Sequence, residues 1–358
     1  MTLTRTAGRI PALEREKNPA VRDGDFPRDN WTWTMIVWGF LFAICFAALL
    51  YASLTKKVVI SDAGGSARAT DEVTGIRGTG FIPLLRNTAS DRVIRIPLPE
   101  KIGAEDVTVE NLYLDRILHI RIRYAQDDFF QQNEISGDLS MLRDVRCVSG
   151  AKAVDMSFEM SALYEYRTMI NGHVMEISVT SPREAYDFRV ILDPAEDNEI
   201  ALAVSRKAAE LAAAEGIRIY LTRTDTHAQD PEERKALLSE TGADLYIRVD
   251  VSRSADPSVY GIRAAYNSRY FMPDYGNVRL SESLVRCLAL SADDRGLSIE
   301  QAEPGSILWD LELVSAEAYL GFVSNPQELA LLENEDYQDK LAAGIAAAVK
   351  EAAEELAK

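Results

Sequence analysis

Histidine is rare in this sequence. The 358 residues include only three, His119, His173 and His227. No two of them lie at the short spacing that is typical of paired metal ligands. The sequence therefore gives no sign of a histidine-rich metal centre, and we interpret His119 and His173 as ordinary strand residues.

Cysteine is equally rare, with three residues in the whole chain. Three cysteines do not build the disulfide framework of a small secreted domain. Cys45 lies in an apolar segment, whereas Cys147 and Cys287 fall in different predicted domains. A disulfide between the last two is neither predicted nor excluded by the sequence.

Basic residues are also fewer than acidic ones. The chain has 39 lysines and arginines against 56 aspartates and glutamates, a net charge of −17. Such a surface disfavours nucleic acid and anionic polymers as partners. A composition of 47% hydrophobic and 27% charged residues is typical of a globular protein, and the length allows two domains with ordinary cores.

The N-terminal part of the chain predicts a membrane anchor. Residues 1–30 are polar, with three prolines and no hydrophobic period, which is typical of a short disordered tail. No charged residue occurs in 33–54, and a helix of this length rises ~33 Å, enough to cross a bilayer. We therefore predict a transmembrane helix over 31–54, uncleaved because the preceding tail is long for a signal peptide. A small excess of basic residues before it predicts a cytoplasmic tail, a single-pass protein of the cell membrane and extracytoplasmic C-terminal domains.

The next part of the chain predicts a linker and a β-rich domain. Glycines and small polar residues in 55–80 indicate a linker. Alternating apolar and polar residues over 81–186 predict half-buried strands. Asn171-Gly172 lies between two such strands, a strong hairpin signal.

Residues 187–358 alternate strand and helix, which predicts an α/β fold with a mainly parallel sheet flanked by helices. Phe188 to Pro194 is an apolar strand ended by Asp-Pro, and a helix follows almost at once. Ligands of open α/β sheets bind at the carboxyl ends of such strands, so Asp193 to Glu199 is the first region to consider for chemistry. Gly261 to Asn267 is predicted to be an edge strand.

Three further segments make this prediction specific. Leu221 to Arg223 closes a second strand, Ala243 to Asp250 forms a third, and Leu320 to Pro326, with the sequence Leu-Gly-Phe-Val-Ser-Asn-Pro, ends a fourth. In this order they resemble the zinc-dependent N-acetylmuramoyl-L-alanine amidases, peptidoglycan hydrolases whose first strand ends in Asp-Pro-Gly-His-Gly-Gly. The resemblance covers about residues 188–358.

The positions that carry the family's chemistry do not match. Glu196 stands where the family has its first histidine ligand, and Asp250 where it has the second. Sliding back from the helix places the glutamate ligand on Asp197, and Tyr319 replaces the catalytic glutamate. A catalytic zinc needs about three protein ligands, so the resemblance implies an amidase fold that has lost its metal and its reaction.

Each replaced residue also has a structural interpretation. Asp197 or Asn198 precedes an apolar helical pattern and is predicted to cap the helix. Arg248 and Asp250 share one face of a strand, so the guanidinium is predicted to neutralise the carboxylate. A calcium site formed by Glu196, Asp197 and Asp250 is an alternative. Tyr319 is predicted to be a half-buried packing residue with its hydroxyl at the rim of the pocket.

These residues define a predicted crevice that binds a substrate or a partner, with no catalytic residue and no cofactor. Its members come from all four strand ends: Asp193, Glu196, Arg223, Arg248, Asp250, Tyr319 and Asn325.

The β-rich region weakly resembles the AMIN modules that accompany some amidases and localise them in the envelope. An unrelated β-domain that acts as a spacer is the alternative.

The leading hypothesis is a membrane-anchored pseudoamidase that binds peptidoglycan or a cell-wall protein without hydrolysis. One alternative is an active amidase with a rearranged zinc site that uses His227. Another is a structural membrane protein that docks a second envelope protein. The sequence does not predict the oligomeric state.

Overall fold

The structure is a computed structural model that describes residues 60–61, 84–86, 92–123, 129–225, 229–272 and 274–357. The predicted tail and transmembrane helix lie outside these residues. Within the described part of the chain, no helix combines the length and the apolar composition needed to cross a membrane.

The first half of the described chain forms two five-stranded sheets. Their orders are β1-β4-β5-β8-β7 and β2-β6-β3-β10-β9. One apolar cluster contains side chains of both sheets, such as Ile120 and Ile177, so the sheets pack as a sandwich. The elements of this β-domain are β1 (Ile60–Ser61), β2 (Leu84–Arg86), β3 (Val93–Pro97), β4 (Val107–Leu112), β5 (Ile117–Ile122), α1 (Phe129–Gln132), β6 (Ile135–Gly137), β7 (Leu142–Ser149), β8 (Val154–Met160), β9 (Glu165–Asn171), β10 (Val174–Thr180) and α2 (Pro182–Ala185).

Two predictions for this region can be compared with the structure. The hairpin is confirmed, because β9 and β10 pair in antiparallel fashion around Asn171-Gly172, and Gly172 has the positive φ that such a turn requires. The short strand β1 lies inside the predicted linker and pairs with β4. The sequence did not predict β1, because a strand of two residues is too short to show an alternation of apolar and polar residues.

The second half forms a six-stranded sheet in the order β12-β11-β13-β16-β14-β15. Four strands are parallel, while β14 runs antiparallel to β16, so the sheet is mixed. The elements are β11 (Arg189–Pro194), α3 (Glu199–Ala214), β12 (Arg218–Leu221), α4 (Pro231–Thr241), β13 (Leu245–Ser252), β14 (Ile262–Tyr266), α5 (Asn277–Ala292), β15 (Gly296–Gln301), β16 (Val314–Phe322), α6 (Pro326–Leu332) and α7 (Glu335–Leu356).

The predicted edge strand at Gly261 to Asn267 is wrong in its position. It corresponds to β14, which lies between β16 and β15, and β15 is the edge. β15 was missed because Leu297 and Ile299 are its only large apolar residues.

The two faces of the α/β sheet are covered differently. Helices α3, α5 and α7 cover one face with a dense apolar layer that includes Val204, Leu284 and Ile345. The other face packs against α4 and against Tyr113 and Leu163 of the β-domain. The β-domain therefore forms part of the cover of the sheet.

A polar contact joins the β-domain to the edge of this sheet. The Tyr113 hydroxyl donates to the Leu221 carbonyl at 3.0 Å and accepts from the Leu221 N–H at 2.8 Å. Nearby, Glu165 accepts from Arg218 at 2.9 Å and from the Tyr220 hydroxyl at 2.6 Å. These bonds cover the β12 edge, which is otherwise open to pairing with other chains.

Candidate functional site

Three neighbouring strands place charged side chains in one row. The register aligns Asp193 of β11 with Arg248 of β13, and Arg248 with Glu317 of β16. Residues in register on adjacent strands project to the same face, so the side chains meet. Arg248 Nη1 donates to Asp193 Oδ2 at 2.9 Å, and its Nε lies 3.2 Å from Glu317 Oε1. The row is an acid–base–acid cluster that lies near the carboxyl end of β11 and in the middle of β13 and β16.

Asp193 is the hub of this cluster. Its side chain is buried, with 2% of the residue exposed. The hydroxyls of Thr222 and Tyr246 donate to its two oxygens, the second at 2.5 Å. Arg234 Nε lies 3.7 Å from Asp193 Oδ1. A buried carboxylate needs such partners, since an uncompensated charge in the interior is costly.

The surroundings of the row shift the pKa of its members. Burial raises the pKa of Glu317, although the charge of Arg248 opposes the shift. For Arg248, burial disfavours the cation, but the charges of Asp193 and Glu317 outweigh it and raise the pKa. Burial, with Asp193 alongside, also raises the pKa of Tyr246 far above its ordinary value. Tyr246 therefore acts as a neutral donor.

A crevice of about 880 Å³ opens beside this row. α4 forms one wall, and the segment 305–311 contributes to the lining. Tyr246, Arg248 and Glu317 line it from the sheet. Basic and acidic side chains therefore face the same space, which suits a polar ligand with both kinds of charge.

Glu196 and Asp250, which stand where the resembled family has its zinc-binding histidines, form other bonds. Glu196 lines the crevice and accepts from Arg234, which also approaches Asp193. Asp250 accepts from Asn198 Nδ2 at 2.9 Å and from the Val251 N–H at 2.7 Å. The direct bonds of Arg248 go instead to the carboxylates of the adjacent strands, with which the parallel register aligns it. The predicted pairing with Asp250 is therefore limited to a longer-range contribution of its charge, which helps to raise the pKa of Arg248.

The predicted cap of the first helix is confirmed for Asn198. Its side chain accepts from the Ala201 N–H at 3.0 Å at the start of α3. Asp197 is exposed and lies just before the cap with a φ of 54°. Asn198 thus serves both the helix and Asp250.

Tyr319 is half-buried, as predicted. The Arg263 guanidinium stacks over its ring at 4.1 Å from the centroid. Burial, with Glu317 close by, raises the pKa of Tyr319. At neutral pH its hydroxyl stays protonated, so it does not replace a carboxylate base.

Two residues predicted in the crevice are instead part of the scaffold. Arg223 is buried and donates to four carbonyls, including those of Ala195 and Asn198 at 2.8 Å. Burial lowers the pKa of Arg223. Asn325 caps α6 by accepting from the Gln327 N–H at 2.9 Å. The sequence does not predict these bonds, because it places a residue at a strand end without showing which way the side chain points.

The Gly-Phe-Val-Ser-Asn-Pro segment also has a packing role. Glu328 is buried and accepts from the backbone N–H groups of Gly261 at 2.9 Å and Phe322 at 2.8 Å. A Cβ on Gly321, whose φ is 152°, would lie 2.7 Å from the Glu328 carboxylate. Glycine is therefore required there for close packing.

The residues of this site do not fit a zinc ion. Neither position at which the family has a histidine ligand carries an imidazole here. Glu196 accepts from the Arg234 guanidinium, and Asp250 accepts from the Asn198 amide. Arg234 and Arg248 add positive charge beside Asp193, which repels a dication. Within the described ranges, no three His, Cys, Asp or Glu side chains are grouped so as to hold a metal, so the alternative calcium site is not formed. His227 lies outside the described residues.

Residues 193–351 match the sequence model of a family described as N-acetylmuramoyl-L-alanine amidase. The predicted resemblance to this family is therefore confirmed for this region. Over 153 residues the chain is 29% identical to the uncharacterised protein YqiI of Bacillus subtilis, which is 42% of this chain and 70% of YqiI.

Solved amidase structures are also similar. The catalytic domain of CwlV from Bacillus (Paenibacillus) polymyxa has 17% identity and a TM-score of 0.42, with 47% of this chain and 99% of that chain covered. CwlD from Clostridioides difficile, solved with the GerS lipoprotein, has 22% identity and a TM-score of 0.41, with 46% and 97% covered.

Sequence reasoning missed Thr222, Arg234, Tyr246 and Glu317 as members of the amidase-domain site. Glu317 had a signal, since an acid inside the apolar run of β16 needs a buried partner. Arg234 had none, because it lies on a separate helix and its ion pairs depend on tertiary packing.

Proposed function

We propose that this chain is a membrane-anchored cell-envelope protein whose amidase-family domain binds peptidoglycan without hydrolysing it. The observation that carries the proposal concerns the two positions at which the resembled family has histidine ligands. Here both make internal bonds, Glu196 with Arg234 and Asp250 with Asn198. Without a metal, nothing brings the pKa of a water molecule near neutrality. Tyr319 in the place of the general base points to the same loss.

Binding is supported by what the site retains. The crevice keeps a volume of about 880 Å³ and a lining of both signs of charge. Stem peptides carry both carboxylates and amides, and therefore offer acceptors to Arg234 and Lys235 and donors to Glu317. The net charge of −17 favours peptidoglycan that lacks anionic polymers. The anchor at 31–54 places the domain at the outer face of the membrane in this proposal.

The test is sedimentation of the detergent-solubilised full chain with purified sacculi free of anionic polymers, together with assay of released stem peptide. We expect retention on the sacculi and no release. Lys235→Glu, at the crevice, should reduce retention by about tenfold, as expected when one good ionic contact is replaced by a repulsive one. Lys340→Glu makes the same charge change on exposed α7 and should leave retention unchanged.

Two results would contradict the proposal in different ways. Release of stem peptide by the wild-type chain would favour an active amidase. Absence of retention, with an envelope protein recovered by the same chain from membranes, would favour the docking hypothesis.

A further inference from the structure

Helix α4, which forms the wall of the crevice, is well formed by its own sequence. The Asp230 side chain accepts from the N–H groups of Glu232 and Glu233, and Glu233 reaches back to the Asp230 N–H. Pro231 occupies the first turn, and Gly242 ends the helix in the left-handed conformation with φ 57°. These caps define both ends of α4, but a helix of 11 residues is only marginally stable in isolation, so its stability and position depend on its surroundings.

Those surroundings hold α4 by few apolar contacts. Leu237 and Thr241 are its only buried residues. The crevice lies on one side, and a second cavity of about 290 Å³, lined also by Tyr113 and Leu163 of the β-domain, lies on another. Glu232 lines both cavities. An element with cavities on two sides and little burial is at the low end of local stability.

Polar contacts near the two ends of α4 hold it in place instead. Near the C-terminal end, Glu240 accepts from Arg116 of the β-domain at 2.7, 3.0 and 3.1 Å and from the Leu163 N–H at 2.8 Å. Nearer the N-terminal end, Arg234 contacts Glu196 and Asp193 across the crevice. One end is therefore fixed by the β-domain and the other by the site itself.

We propose that Arg116 and Glu240 are positioning residues through which the β-domain holds α4 and sets the width of the crevice. This positioning role rests on the proposed function only for the identity of the ligand in the crevice. The two arginine–carboxylate contacts act on one rigid helix, so a change at Glu240 moves Arg234 and Lys235 together. Coupling of this kind is reciprocal, so occupancy of the crevice should also stabilise the β-domain contact.

The test is hydrogen exchange of the full chain, read by segment, in charge-reversal variants. Arg116→Glu should raise the exchange rate of the α4 amides by about tenfold, the effect of losing roughly 1.4 kcal/mol of local stability. Exchange in α3, α5 and α7 should stay unchanged. The double variant Arg116→Glu/Glu240→Arg should restore part of the protection, because the ion pair re-forms with its charges exchanged while the Leu163 N–H loses its acceptor. Arg146→Glu, an exposed change elsewhere in the β-domain, is the control.

The outcomes separate this proposal from the proposed function. Unchanged α4 exchange in Arg116→Glu, or a rise across the whole domain that the double variant does not reverse even in part, would overturn the positioning role. If Arg116→Glu does not fold, Glu240→Gln is used, because it keeps the size of the side chain and removes the charge. Retention of these variants on sacculi is read separately, so failure of the wild type to bind affects only the function.

Discussion

The two faces of the α/β sheet are stabilised by different interactions. On one face, α3, α5 and α7 pack through apolar side chains so closely that a Cβ on Gly344 would lie 2.7 Å from the Leu288 Cα. On the other face, the row of Asp193, Arg248 and Glu317 lies under a helix that is held mainly by ion pairs. The apolar face is stabilised by close packing, whereas the polar face is stabilised by paired charges and keeps the space that a ligand needs.

The largest effect is expected on the polar face. Arg248→Met should lower the free energy of unfolding by about 3–5 kcal/mol, because Glu317 loses its guanidinium and Asp193 keeps only the more distant Arg234. Urea denaturation measures it. Arg279→Met breaks an exposed contact of 3.9 Å to Glu355 and should cost less than about 1 kcal/mol. Equal losses in the two variants would mean that the row is not a buried charge cluster.

A slightly smaller effect is expected on the apolar face. Leu341 is fully buried in the helix layer, so Leu341→Ala should lower the free energy of unfolding by about 2–5 kcal/mol. Retention on sacculi should be unchanged at temperatures where the variant is folded. Leu290→Ala, at a position 73% exposed, is the control and should have little effect on either measurement. Loss of retention in folded Leu341→Ala would show that the two faces are not separate in function.

The next largest effect is expected at Asn198, which caps α3 and also binds Asp250. Asn198→Ala should cost about 1–2 kcal/mol, because α3 loses its cap and Asp250 loses a donor. Asn334→Ala removes a cap of α7 that has no such second bond and should cost about 1 kcal/mol or less. Thermal unfolding compares them. A smaller loss for Asn198→Ala than for Asn334→Ala would contradict the double role.

The smallest effect belongs to the β-domain. His119 lies between Asp155 at 3.3 Å and Glu110 at 3.4 Å, and its bond to Asp155 is the main reason that the pKa of His119 is raised from 6.5. A raised folded pKa contributes stability below pH ~6.5, and this contribution disappears as the pH rises through the folded value. The contribution should stay below about 1 kcal/mol because solvent screens a partly exposed group.

The measurement for this prediction is the difference in unfolding free energy between the wild type and His119→Gln as a function of pH. The difference should be largest in mildly acidic solution and should shrink toward alkaline pH. A difference that does not change with pH would contradict it.

Much of the α/β fold could be predicted from the sequence, because long apolar runs define β11, β13 and β16. The hairpin at Asn171-Gly172 and the Asn198 cap were also predictable, since both depend on residues close in sequence. These signals are local, so they survive without knowledge of the tertiary structure.

The site itself was predicted less well. Motif spacing placed attention on Tyr319, whereas the buried acid is Glu317, two residues earlier on the same face of β16. Alternation along β13 correctly put Arg248 and Asp250 on one face, but the partner of Arg248 was decided by register with β11 and β16. Partners across strands depend on register, which a single sequence does not specify.

The central claim is that the metal positions are occupied by internal bonds, and zinc content tests it most directly. The purified full chain is dialysed against micromolar zinc, washed free of unbound metal and weighed by native mass spectrometry. The account predicts far less than one zinc per chain, with no change when Asn198 is replaced by alanine. One tightly held zinc per wild-type chain would contradict it.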